Sequence, residues 1–202
     1  MANKDAPHGY KIWGDLLRAR TYAVITAPTI NVMVDDLVGA GSTGVLSGKL
    51  GNVMAIEDGA IIPATPGDAE RIRGAVQACF DEKMDPISYI AAGRVGDGTV
   101  AGYVLVADHP DQQFESQLDA AGAVADLDLH YEITSPTLSE GNTSTGLSYQ
   151  EIDVTGAAVT NTLPIILLGQ AYPEEDVITA AGCRFICCIN SACHYYAAPT
   201  GI

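Results

Sequence analysis

The segment from Val100 to Gln117 places the strongest constraint on how this chain can fold. Its first part, Val100 to Val106, is apolar on both alternating faces, a pattern typical of a strand buried on both sides. The next residues, Asp-His-Pro-Asp at 108–111, must form a turn, because Pro110 removes a backbone donor and fixes φ. We therefore expect a core strand that ends at an acidic turn.

The chain resumes after that turn as a return strand. Phe114, Ser116 and Leu118 alternate with Glu115 and Gln117. Alternation of this kind is typical of a half-buried strand, with one face on the core and the other in solvent. We therefore expect the two longer polar side chains on the outer face.

Short strands separated by Gly- and Pro-rich turns account for most of the remaining sequence. Thr21–Val34 and Thr162–Gly169 are rich in β-branched and apolar residues, whereas helical patterns occur only at Asp15–Arg20, Asp68–Gly74 and Leu118–Leu129. Thr155–Thr160 is expected to be a turn between two strands. Without βαβ alternation, the pattern predicts an all-β (mainly β) fold. We expect a β-sandwich or barrel core of short antiparallel strands, with long loops and an extended N-terminal arm.

The domain organisation follows from the composition of the first residues. Residues 1–14 mix charge, proline and glycine with aromatic side chains and cannot form a core alone, so we assign them to an N-terminal arm and residues 15–202 to a single β-rich domain. A frayed terminus is one interpretation. The other is an arm that orders on a neighbouring subunit and uses Tyr10 and Trp13 as anchors, with Lys4 and His8 as further contact residues.

Composition excludes several classes of function. The chain has 202 residues, with 25 acidic against 10 basic residues and a formal net charge of −15, which argues against nucleic-acid binding. No apolar run approaches the roughly 18 to 20 residues of a membrane span. The first 14 residues lack the apolar region of a signal peptide, so we expect synthesis in a cytoplasm and reduced cysteines.

The C-terminal cysteines are the densest group of potential metal ligands, comprising Cys183, Cys187, Cys188 and Cys193 beside His194. In an extended strand the first two share one face and Cys188 takes the other, so they cannot all converge on a zinc ion. We expect them to be small core hydrophobes. Adjacent Cys193 and His194 would likewise point to opposite faces of a strand, which disfavours a thiol dyad.

No other pattern predicts a catalytic, metal or cofactor site. Gly39, Gly41 and Gly44 spell G-x-G-x-x-G, but glycines continue through the next turns where a dinucleotide site needs a helix. Asp108 and Asp111 could act as paired carboxylates, although such residues more often cap turns by bonding backbone amides. We expect turn caps.

Several pieces of the sequence, taken in order, resemble small capsid decoration proteins of tailed bacteriophages, also called cement or head-stabilisation proteins. The pieces are the N-terminal M-A-N-K-D-A-P-x-G, Gly74 to Phe80, Tyr89, Tyr103 to Gln117, Leu163 to Gly169, and Cys183 to Asn190 with its His-aromatic end. The resemblance implies that Ile72–Phe80 is a core strand, where the residues alone also allow a helix starting at Asp68. The sequence departs from the family pattern at His109, and at Cys187 and Cys188, where a basic contact is in doubt.

The resemblance implies a non-enzymatic structural protein on the outer surface of a mature icosahedral head, where it would clamp neighbouring major capsid subunits. Self-association as a trimer is expected, with a dimer as the alternative. Deleting Met1–Gly14 should then weaken attachment to the capsid and leave the β core folded. Two other classes stay open: a small thiol- or metal-dependent enzyme that uses the C-terminal cysteines, and a surface module that binds glycans or the host.

Overall fold

The structure is a computed structural model that describes residues 3–40, 48–50, 54–56, 60–64, 72–123, 127–134, 141–159 and 162–196. Within these ranges the regular structure consists of strands, and no helix is present. The all-β prediction is confirmed. The strands in chain order are β1 (Lys11–Ile12), β2 (Ala19–Ile25), β3 (Val32–Met33), β4 (Leu37–Ala40), β5 (Gly48–Leu50), β6 (Met54–Ile56), β7 (Ala60–Pro63), β8 (Ile72–Phe80), β9 (Pro86–Ile87), β10 (Tyr89–Ile90), β11 (Val100–Ala107), β12 (Gln113–Gln117), β13 (His130–Ile133), β14 (Ile152–Ala158), β15 (Ile165–Gln170) and β16 (Arg184–Ile189).

Two large sheets organise these strands. The first is antiparallel and six-stranded, in the order β1-β12-β16-β15-β13-β14. In the second, the order is β11-β2-β7-β4-β8, and β8 also pairs with β11, so that five strands close a ring of pairings, with β9 added to β8. Only β2 and β7 are parallel among these pairs. The narrower prediction of a sandwich or barrel core stays a prediction.

Strand β11 has the central place that its sequence predicts. It pairs with β2 on one side and β8 on the other, and nearly all its residues are buried. The turn at residues 108–112 then carries the chain out of the ring, and β12 joins the six-stranded sheet between β1 and β16. The two strands around the acidic turn therefore belong to different sheets.

One glycine allows the ring to close. Gly74 in β8 has φ of +154°, and a Cβ at this position would collide with the carbonyl oxygen of Ala107 at the end of β11. The β8–β11 register shifts at Leu105/Val106, close to this contact. Because only glycine lets the two backbones approach so closely, this position permits β8 to pair with both β4 and β11.

The prediction of a half-buried β12 is wrong. Glu115 and Gln117 are only 5% and 2% exposed, although their side chains lie on the face predicted to be in solvent. The reason is tertiary: the N-terminal segment covers that face, as shown by contacts of Ala6 and His8 with these two side chains. The alternating pattern correctly separates two faces, but it cannot show that a distant segment covers the polar one.

The predicted helices are also wrong within the described residues. Ala19 and Arg20 begin β2, where they pair with the end of β11, and Leu118 bridges Ile152 instead of starting a helix. The turn expected at Thr155–Thr160 is wrong for residues 155–158, which continue β14. By contrast, the strand prediction for Ile72–Phe80 is confirmed as β8. Sheet pairing has overridden weak local helical preference in these segments.

Two clusters form most of the apolar core. One lies among the ring strands and includes Tyr22, Val38, Val76 and Val104. The larger cluster joins side chains of the ring to the inner face of the six-stranded sheet; among its members are Tyr10, Leu37, Ile72, Phe114, Phe185 and Cys187. Tyr10 therefore belongs to the main core, even though it lies in the segment predicted to be an arm.

Candidate functional site

The predicted contact residues all lie in the N-terminal segment, which runs along β12. The side-chain amide of Asn3 makes two hydrogen bonds to the backbone of Val177. Its Nδ2 donates to the Val177 carbonyl at 2.8 Å, and its Oδ1 accepts from the Val177 backbone amide at 2.6 Å. Further along, the backbone amide of Ala6 donates to Gln117 Oε1 at 3.2 Å. Lys11 and Ile12 then form β1, which pairs with β12. The segment is thus held on its own chain at successive points.

Tyr10 is the deepest anchor of this segment. Its side chain is fully buried, and its hydroxyl donates to the carbonyl oxygen of Glu151 at 3.1 Å. Its amide donates to the carbonyl oxygen of Asp35 at 2.7 Å. Gly9 precedes it with φ of +74°, and a Cβ there would collide with the same Asp35 carbonyl, so glycine is required for the approach.

A charged contact lies next to Tyr10. His8 Nε2 is 3.4 Å from Glu115 Oε1, an ion-pair distance without hydrogen-bond alignment. Glu115 raises the pKa of His8 despite its partial burial, and His8 in turn lowers the pKa of Glu115, which also accepts a hydrogen bond from the Tyr172 hydroxyl at 2.9 Å. Burial raises the pKa of nearby Asp35 to about 6, although His8 and Lys11 act in the opposite direction.

Trp13, at the end of the segment, packs against a stack formed by Tyr172 and Arg184. Its ring meets Tyr172 edge to face, with centroids 5.7 Å apart, and the guanidinium of Arg184 lies 4.0 Å from the Tyr172 ring centroid. Arg184 is fixed by Asp176, whose Oδ2 is 2.8 Å from its Nε. Between this stack and the segment runs a groove of about 670 Å³, which Lys4 and other polar side chains line.

The four predicted contact residues therefore have different environments. Lys4 is exposed, His8 and Trp13 are partly exposed, and Tyr10 faces the core of its own chain. The structure brings three of these residues to one strand, β12. His8 pairs with Glu115, Tyr10 belongs to the same core cluster as Phe114, and the backbone amide of Trp13 donates to the carbonyl of Gln113. The assignment of residues 1–14 as an arm for a neighbouring subunit stays a prediction.

A buried ion cluster around Asp108 is the feature that the sequence analysis missed. Asp108 has no exposed surface; Arg18 Nε donates to its Oδ1 at 2.7 Å and Tyr22 donates to its Oδ2 at 2.6 Å. Arg20 Nε lies 3.5 Å from the same Oδ2. The turn-cap interpretation of Asp108 is thus wrong for its carboxylate, and so is a carboxylate pair with Asp111, whose side chain is exposed to solvent.

Tyr196 organises the cationic side of this cluster. Arg73 Nη1 donates to the Tyr196 hydroxyl at 3.1 Å, and the hydroxyls of Tyr196 and Tyr22 are 2.7 Å apart. Tyr22 has one hydroxyl proton, which it donates to Asp108. The hydrogen bond between the two tyrosines must therefore be donated by the Tyr196 hydroxyl and accepted by the Tyr22 hydroxyl. The Arg18 and Arg20 guanidinium carbons lie 5.1 and 4.7 Å from the Tyr196 ring centroid.

A signal for this cluster is present in the sequence. Arg18, Arg20 and Tyr22 alternate, so they share one face if the segment is a strand. The prediction of a helical turn at Asp15–Arg20 concealed that alternation. Their partner Asp108 is 86 to 90 residues away in the chain, and only the pairing of β2 with β11 brings them together.

The C-terminal cysteines lie as the strand pattern predicts. Cys183 and Cys187 are buried on the core face, and Cys188 on the opposite face is partly exposed. Burial raises the pKa of Cys183 to about 11 and that of Cys187 well above its usual value, which disfavours the thiolates. Cys193 Sγ contacts the carbonyl of Leu163 at 3.6 Å, whereas His194 Nδ1 accepts from the Tyr196 amide at 3.1 Å.

Among the described residues, no group of three or more His, Cys, Asp or Glu side chains is placed to hold a metal ion. In the same residues, no helix has the length and apolar character to span a membrane. No protein-family model, curated protein or solved structure matches the chain.

Proposed function

We propose that this chain is a structural virion protein that binds the outer surface of a mature icosahedral phage head and stabilises contacts between major capsid subunits. The observation that carries the proposal is the ordered set of sequence pieces resembling capsid decoration proteins. Gly74–Phe80 and Tyr103–Ala107 lie in the paired strands β8 and β11. Residues 113–117, 165–169 and 184–189 lie in β12, β15 and β16, which are neighbours in the other sheet. These strand segments therefore form two contiguous blocks, which supports a common scaffold, whereas Tyr89 lies in the separate β3–β10 pair.

The architecture suits a clamp. A protein that stabilises a capsid at many equivalent positions can use a modest contact area at each, because the stabilisation multiplies with the number of sites. A rigid body is needed to hold the neighbouring subunits together at each site. Here two sheets share one large core, and the N-terminal segment is fastened to the same body at residues 3–13. We propose that the protein is made in the host cytoplasm and acts on the capsid exterior without catalysing a reaction.

Self-association is part of the proposal. Binding at threefold or quasi-threefold positions of a head would be matched by a trimer, and closed cyclic symmetry is the common form of such assemblies. A dimer at twofold positions is the alternative. The exposed or partly exposed side chains of Lys4, His8 and Trp13 are candidates for contact with the capsid or with a neighbouring copy.

Add-back to undecorated heads tests the function. The purified full-length chain is mixed with expanded heads of the parent phage that lack the decoration protein, and the heads are sedimented and imaged by electron microscopy. Unexpanded heads and an unrelated acidic β protein of similar size serve as controls. We expect saturable binding at symmetry-related positions on expanded heads. Absence of saturable binding to both head forms would overturn the proposal.

A further inference from the structure

A short surface segment after β1 has the character of a contact site. We define the Leu-Arg patch as Leu16, Leu17, Arg18 and Arg20. The two leucine side chains are 48% and 52% exposed, and the two arginine side chains are partly exposed. Single exposed apolar side chains such as Val95 are common on protein surfaces, whereas adjacent ones beside arginines make a contiguous patch, the kind of surface that marks contact sites.

The backbone holds these leucines outward. The Leu17 amide donates to Gln112 Oε1 at 2.9 Å, and the Gln112 side-chain amide donates to the carbonyl of Asp15 at 3.2 Å. Gln112 itself is buried, so it fixes the loop from beneath. On the far side, the Asp108 amide donates to the carbonyl of Arg18 at 3.3 Å. The loop is therefore fastened at both ends, and presenting the leucines costs little ordering entropy on binding.

The arginines give the patch positive charge and hydrogen-bond donors. Arg18 uses Nε and Nη2 for the carboxylate and carbonyl of Asp108, which leaves three of its five N–H donors for another acceptor. Arg20 stands at the same carboxylate, and buried Arg73 adds a third guanidinium on the Tyr196 ring. Asp15 precedes Leu16 in the sequence and Asp111 lies in the acidic turn after Asp108, and both side chains are exposed to solvent. A fork of this kind suits a carboxylate acceptor.

We propose that the Leu-Arg patch is the surface by which this chain docks on the capsid, and that the docking partner is a capsid-subunit segment that presents aliphatic side chains beside an Asp or Glu carboxylate. This inference rests on the proposed function. It places the main capsid contact at the residues that follow β1, because Tyr10, which the sequence predicted to be an anchor, is buried in its own chain. Lys4, His8 and Trp13 then stay candidates for contact with a neighbouring copy. Arginine and large apolar side chains at the centre of an interface carry most of its binding energy.

The test compares two double variants in the add-back assay on expanded heads. Leu16→Asp/Leu17→Asp alters the patch. Val95→Asp/Val159→Asp is the matched control, because it removes two aliphatic side chains that are 58% and 83% exposed elsewhere and changes the net charge equally. Thermal unfolding checks that both variants fold. If the patch variant is unfolded, Leu17→Ser is measured against Val95→Ser instead.

The outcomes separate the two proposals. We expect the patch variant to bind at least about tenfold more weakly than the wild-type chain, and the control to bind within about twofold of it. Equal binding by both variants, or equal weakening of both, would overturn the patch while saturable wild-type binding upholds the function. Failure of the wild-type chain to bind would overturn the function and the patch together.

Discussion

Removal of the N-terminal segment should unfold this protein or destabilise it severely. The sequence alone led to the opposite expectation, that residues 1–14 could be deleted and leave the β core intact. The structure changes that expectation because Tyr10 is a fully buried member of the main core and because the segment covers Glu115 and Gln117. Deletion would therefore open the core and expose one strand of the six-stranded sheet at the same time.

The magnitude follows from Tyr10. Replacing a buried aromatic side chain with alanine costs about 3–5 kcal/mol, and loss of the hydrogen bond to the Glu151 carbonyl adds about 1 kcal/mol. Tyr10→Phe keeps the ring and should cost only about 1 kcal/mol. A domain has in total about 5–15 kcal/mol of stability, so deletion of residues 1–14, which also removes β1, should consume most of it.

Urea denaturation followed by Trp13 fluorescence suits the two point variants, and circular dichroism suits the deletion variant, which lacks the only tryptophan. We expect the free energy of unfolding to fall in the order wild type, Tyr10→Phe, Tyr10→Ala, deletion. A deletion variant with the wild-type unfolding midpoint would refute the reasoning. That result would favour the interpretation of residues 1–14 as an arm that folds on a neighbouring subunit.

Two further predictions concern buried ionisable groups. Burial raises the pKa of Asp35 from its ordinary value of 3.8 to about 6, so its contribution favours the folded state at low pH and is lost as pH rises through 6. Asp35→Asn should therefore raise the free energy of unfolding by up to about 3 kcal/mol at pH 8 and by under about 1 kcal/mol at pH 4, and an equal gain in urea titrations at both pH values would contradict this. Among the five cysteines only Cys188 is not buried, so Ellman's reagent at pH 8 should modify one thiol promptly in the native protein and five after denaturation. Prompt modification of the Cys188→Ser variant would show that a core thiol is accessible.

Local patterns predicted the strands well where the apolar residues of the sequence pattern are also the residues that the fold buries. Val100–Ala107 is apolar on both faces and is buried between β2 and β8, and the cysteines of β16 alternate in burial as expected. Prediction failed where a distant segment changed the environment. Nothing near Glu115 in sequence shows that residues 3–13 cover it, and nothing near Asp108 shows that Arg18 will reach its carboxylate.

The sequence by itself determined the all-β class and the two faces of its main strands, because side-chain alternation is a local property with a period of two residues. Tertiary structure alone decided which faces meet. It placed Tyr10 in the main core, joined the acidic turn to the arginines of β2, and left Leu16 and Leu17 exposed on a fixed loop. The physical reason is that burial and ion pairing depend on contacts between residues about 90 or more positions apart, and strand alternation specifies a face without specifying its partner.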